Sequence, residues 1–135
     1  MFLRLEVIGN LGGDPEMRYT PSGDAVTTFN VASNKVWTGK DGVKHEKATW
    51  VRVSAWRALG ENCAKFLHKG DQVFVEGEAE ARGWIDKSSG EVKAMLELNA
   101  SNVRFLRTQN NGAGNGDQSP VVQTGLPAHN DDVPF

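Results

Sequence analysis

Four tryptophans, Trp37, Trp50, Trp56 and Trp84, stand among the 135 residues of this chain. Each has a lysine or arginine one to three residues away: Lys35 and Lys40, Arg52, Arg57, and Arg82 and Lys87. Indole is the largest flat apolar surface a side chain offers, and the neighbouring cations attract anions. Together they suit a ligand that carries both exposed π-faces and phosphates. Stacking of an unpaired base on an aromatic ring contributes roughly 1–3 kcal/mol per base and tolerates any base. Phosphates reward nearby lysine and arginine. A single Trp in a small protein is ordinarily core packing, and Trp is also enriched in protein–protein interfaces. Placement therefore decides between these readings.

Side chains alternate across a strand. Around Trp50 one parity holds Trp50, Arg52, Ser54 and Trp56, and the other holds Val51, Val53 and Ala55. The valine parity is the natural core face, so both indoles and Arg52 point away from it. Further on, Val73, Val75, Gly77, Ala79 and Ala81 share one parity, and Arg82 and Trp84 the other. Turning these faces inward would bury Arg52 and Arg82 without partners, which is costly. Trp37 is placed only by the basic loop that it borders.

The elements that position these residues follow from periodicity. Leu3, Leu5 and Val7 alternate with polar residues as a first strand. Two turn-rich segments, 9–15 and 20–24, come next. A second strand is predicted over Ala25 to Trp37, with Phe29 and Val31 in the core, and a third over Lys47 to Arg57. Leu59, Cys63, Phe66 and Leu67 then repeat at helical spacing, with Gly70 as the expected C-cap. A fourth strand, Gln72 to Trp84, and a fifth, Glu91 to Leu106, flank a hairpin turn at 86–90. In the fifth strand the apolar parity of Val92, Ala94, Leu96 and Leu98 gives way to that of Val103 and Phe105, so a bulge is predicted within 99–102. Gly77, among small residues, marks a sharp bend. Three strands, one short helix and two strands suit an all-β fold, a closed five-stranded Greek-key barrel of the OB type with the helix between strands 3 and 4. An open α+β sheet packed on the helix is the alternative.

Charge divides the chain. All 15 Lys and Arg residues lie at or before Arg107, and only Asp117, Asp131 and Asp132 of the 17 acids lie after it. The body carries a net charge of +1 and the tail −3. So weak a positive charge does not by itself announce a nucleic-acid partner. Residues 108–130, rich in Gln, Asn, Gly, Pro and Ser, read as a disordered linker, because they offer too little apolar surface to offset chain entropy. Asp131, Asp132, Val133, Pro134 and Phe135 form an acidic, apolar-ended tip. Met1 to Leu5 lacks the apolar run of a signal peptide, and no stretch has the length of a membrane-spanning helix. One cysteine and three scattered histidines indicate neither disulfide nor metal site. Gly9-Asn10-Leu11-Gly12-Gly13 lacks the Gly-Lys-Ser/Thr ending of a phosphate loop. Nothing pairs a nucleophile with a base, so an enzyme is not expected and no cofactor is implied.

Gly9-Asn10-Leu11-Gly12-Gly13-Asp14-Pro15-Glu16-Met17-Arg18-Tyr19, Trp50-Val51-Arg52-Val53, Lys69-Gly70-Asp71-Gln72-Val73-Phe74-Val75-Glu76-Gly77 and the closing Asp131-Asp132-Val133-Pro134-Phe135 together resemble the bacterial single-stranded DNA-binding protein family. The likeness covers 1–107 in order, and then the tip. It implies an OB-fold homotetramer that wraps single-stranded DNA in the bacterial cytoplasm. Its stacking aromatics would fall on Trp37, Trp50, Trp56 and Trp84. It further implies a tip that docks on replication, recombination and repair proteins. Two positions depart from the family: Trp56, often phenylalanine, and Val51, commonly histidine. An OB-fold adaptor whose aromatic face binds protein is the competing reading, and a nucleic-acid-associated hydrolase a third.

Overall fold

The alternating segments become long strands that curl into a ring. The computed structural model describes residues 1–108. In chain order the elements are β1 (Arg4–Leu11), β2 (Glu16–Tyr19), β3 (Ala25–Thr38), β4 (Lys44–Trp56), α1 (Arg57–Phe66), β5 (Gln72–Ile85) and β6 (Val92–Arg107). The expected linker and tip lie, apart from Thr108, outside the described residues.

Strand β5 pairs with β1 on one side and β6 on the other. β6 runs parallel to β4, with Val51 opposite Leu96 and Val53 opposite Leu98, and β4 pairs with β3. β3 then returns to β1 through Asn10 opposite Ala32 and Leu11 opposite Val31. That last pairing closes the expected five-stranded barrel and rules out the open sheet. β2 is a sixth strand that the turn-rich reading of this region missed. Its four exposed residues pair only with the start of β3 and stand outside the ring.

The core is the inner face of this ring. Val7, Phe29, Val31, Val51, Val53, Val73, Val75 and Leu98 fill it, and Cys63 and Leu67 join from the segment between β4 and β5. Burial pushes the Cys63 thiol up to about 12, as for a small core residue. The helix is pinned by Thr27, whose buried Oγ1 donates to the Gly60 carbonyl at 2.7 Å. Gly70 is not its cap. The helix ends at Phe66, and Leu67 follows in extended geometry (φ −96°, ψ 148°), its N–H still bonded to the Cys63 carbonyl. Gly70 instead takes φ 91° in the turn His68–Asp71, where the Asp71 N–H meets the His68 carbonyl at 3.0 Å. The expected cap is thus a residue of the turn that follows the helix.

This turn is tied to the Gly9–Asp14 segment. Leu11 donates to the Asp71 carbonyl, Gly70 to the Leu11 carbonyl, Asn10 Nδ2 to the Gly70 carbonyl and Lys69 N–H to Asp14 Oδ1, all at 2.8–2.9 Å. The predicted bulge is present. Glu76 pairs with Asn102 but Gly77 with Ala100, so Ser101 is skipped and the inward parity of β6 switches. Gly77 is where this costs space, since a Cβ there would lie 2.0 Å from the Asn99 carbonyl oxygen and 2.9 Å from Ala100 Cα. Both are backbone atoms that cannot step aside. Gly77→Ala is therefore expected to lower unfolding stability by about 3 kcal/mol, as severe overpacking does. Gly13→Ala, with nothing within 4 Å of its added Cβ, should stay within about 0.5 kcal/mol. Denaturant titration of the two variants measures both values.

Candidate nucleic-acid interface

The parity reading of β4 holds in the structure. Val51, Val53 and Ala55 are buried, while Trp50 and Trp56 expose 45% and 39% of their surface. Trp84 is 44% and Trp37 42% exposed. Cross-strand partners extend the outer face sideways. Arg52 is in register with Glu97 on β6, Glu97 with Glu80 on β5, and then Arg82 with Met95 and Trp84 with Lys93. Trp50, Arg52 and Trp56 thus share one continuous outer surface, β4–β6–β5, with Arg82 and Trp84.

Trp37 is different. It has the parity of Phe29 and Val31, which is the core parity of β3. It is exposed because β3 and β4 run on past the barrel as a two-stranded arm from Asn34 to Lys47, exposed on both faces. Once no core lies beneath, parity no longer predicts burial. The β5–β6 hairpin behaves the same way beyond Glu80, where Ala81, Gly83 and Ile85 are exposed alongside Trp84.

The six predicted cations divide. Arg57, at a left-handed φ of 56° where β4 turns directly into α1, reaches Asp24 at 3.4 Å. Arg82 reaches Glu97 at 3.4 Å. Lys35 Nζ lies 5.9 Å from the Trp37 ring, within cation–π range. Arg52, Lys40 and Lys87 are exposed and make no ion pair among the described residues. Lys40 sits in the arm's closing turn, and Lys87 in the turn at 86–90. In the latter turn the side chain of Lys93, at 3.1 Å, and then the Ser88 N–H hold the Asp86 carboxyl below its usual range.

The structure adds residues that the sequence reading passed over. Lys47 stands directly opposite Lys35. Like charges facing one another across a strand pair are destabilising, and an anion between them would relieve this. His45 is opposite Trp37, with its ring stacked at 5.5 Å and 22°. Both pairs are symmetric about Asp41, so the hairpin register gave a signal that was available in the sequence. Gly12 had no such signal. A Cβ there would lie 2.6 and 2.7 Å from Cζ3 and Cη2 of Trp50. Trp50 faces the small Ala32 and lays its indole over the bare Gly12 backbone. The turn-rich segment after β1 is thus the bed of one indole.

A family model described as the Single-strand binding protein family matches residues 2–106. The chain belongs to this family. It is 38% identical to the single-stranded DNA-binding protein 1 of Xylella fastidiosa over 132 residues, covering 96% of this chain and 93% of that one. It is 34% identical to the single-stranded DNA-binding protein 1 of Chlorobaculum tepidum over 116 residues, covering 86% and 72%. Among solved structures it is similar to the Plasmodium falciparum SSB complex with ssDNA, with a TM-score of 0.65 and 27% identity, covering 78% of this chain and 96% of that one. No helix of the described residues is long and apolar enough to cross a membrane.

Gly12→Ala should displace the Trp50 indole and leave the barrel intact. The expected result is an altered near-ultraviolet circular dichroism and tryptophan emission with an unchanged far-ultraviolet spectrum. The emission change should vanish in a Trp50→Phe background, and its survival there would locate the effect elsewhere.

Proposed function

We propose that the protein binds single-stranded DNA without strong sequence preference, stacking bases on Trp37, Trp50, Trp56 and Trp84. The observation that carries this is the outer face shared by Trp50, Trp56 and Trp84: three exposed indoles, two on the barrel wall and the third where the β5–β6 hairpin carries that face past it. Membership of the family supports the same reading, as does likeness to a structure described as a complex with ssDNA. A body of charge +1 has little electrostatic attraction to spare, so stacking must supply much of the affinity. Arg52, Lys40 and Lys87 are free to meet phosphates, joined by Lys35 and, after exchange of their carboxylates, Arg57 and Arg82.

The body over 1–107 assembles as a homotetramer. Residues 108–130 serve as a linker, and Asp131, Asp132, Val133, Pro134 and Phe135 recruit replication, recombination and repair proteins. A terminal aromatic can enter an apolar pocket while the acids meet lysine or arginine on the partner. The Xylella alignment, spanning 96% of this chain, reaches past the described residues into this tail. The setting proposed is the cytoplasm, on the nucleoid.

Titration with oligo-dT should quench tryptophan fluorescence strongly, and duplex DNA should not. Alanine at Trp50, Trp56 or Trp84 should each weaken binding by about 1–3 kcal/mol. Absence of quenching would sink the stacking claim and favour the protein-binding adaptor. Deleting 131–135 should leave DNA affinity equal or slightly higher and abolish capture of partner proteins, and unchanged capture would refute the role of the tip. Light scattering measures the assembly directly.

A further inference from the structure

Trp37 alone of the four indoles has a second ring stacked against it. Like Trp84, it stands on a hairpin that runs past the barrel. Trp50 rests over the Gly12 backbone, but the arm that carries Trp37 is exposed on both faces. A stacking platform gains affinity when its plane is fixed before the base arrives, because ordering a free side chain on binding is costly. We propose that His45 is a positioning residue for Trp37, covering one indole face and fixing the ring so that the other face receives a base.

The loop is built around this imidazole. A Cβ at Gly39 would lie 3.1 Å from His45 Nε2 and 2.9 Å from Asp41 Oδ1, so the absence of a side chain leaves room for both. Asp41 Oδ1 is itself held by the Val43 N–H at 3.1 Å. Hairpin bonds from Gly39 to Val43 and from Gly42 to Gly39 close the turn at 2.9 and 3.0 Å. Lys35 and Lys47 lie on the same face as the two rings, two residues along each strand nearer the barrel. Phosphates flanking a base on Trp37 would meet them there. The inference rests on Trp37 being a stacking platform.

The test is a double-mutant cycle in the full-length protein, read by anisotropy of labelled oligo-dT so that no signal depends on the tryptophans. His45→Ala should weaken binding by about three- to fivefold, the scale of an exposed cross-strand aromatic pair. His45→Phe should bind within about twofold of the parent, since the ring is kept. In a Trp37→Ala background His45→Ala should add almost nothing, the mark of one residue acting through another. An equal loss in that background would show the imidazole meeting DNA on its own account. No loss from His45→Ala, with Trp37→Ala still harmful, would show that the indole needs no support. If Trp37→Ala is itself harmless, the platform fails and the positioning role falls with it. Circular dichroism confirms folding, which these exposed positions should not disturb.

Discussion

Strand β1 has to serve two neighbours at once. It pairs with β5 from Arg4 to Asn10, and at Asn10 and Leu11 it also pairs with β3. The double duty requires β1 and β3 to approach so closely that a Cβ on Gly9 would lie 2.2 Å from the Ala32 carbonyl oxygen. Only glycine fits. From that contact the rest follows. The ring shuts, the inner faces of five strands become a buried core, and the alternate residues of β4 are forced outward. Leu11 and Asn10 are brought to the turn at His68–Asp71, and Gly12 is delivered beneath Trp50.

Some of the cations around the surface so produced are already engaged. Arg57 and Arg82 are held by Asp24 and Glu97, and Lys93 by Asp86. Exposed pairs of this kind contribute about 0–1 kcal/mol, so they hold their cations loosely. Glu97 sits between Arg52 and Arg82 and tempers both. A polyanion can exchange with such carboxylates at low cost, and flat apolar rings must then add grip that charge alone does not give.

What was legible in the sequence was whatever alternation governs. The valine face of β4 reported the core, and the switch from Leu98 to Val103 reported a bulge that the register places at Ser101. What was not legible depended on contacts between distant segments. Glu16–Tyr19 is a strand only because β3 lies beside it. Gly70 bends the chain toward Leu11 and Asn10 rather than ending a helix. Gly12 matters because an indole from β4 lies across it. Trp37 shows the limit of parity itself, since its core-facing side overhangs the end of the core. The family likeness singled out the four tryptophans, but it did not say that Trp50 and Trp56 stand on the barrel wall while Trp37 and Trp84 stand on hairpins that run past it.

The parallel pairing of β4 with β6 joins residues 51–54 to residues 96–99. It is the most distant pairing that β4 makes, whereas the β3–β4 and β5–β6 hairpins are local. Contacts so far apart in the chain form only after intervening segments are in place. During synthesis from the N-terminus, Val51 and Val53 lack their strand partners Leu96 and Leu98 until nearly the whole body has emerged. On the outer face, Arg52 is joined to β5 only through Glu97 of β6, so Trp50 and Trp56 have no continuous surface with Trp84 until β6 is in place. A nascent or C-terminally shortened body can therefore hold its hairpins and still have no organised wall of indoles to offer.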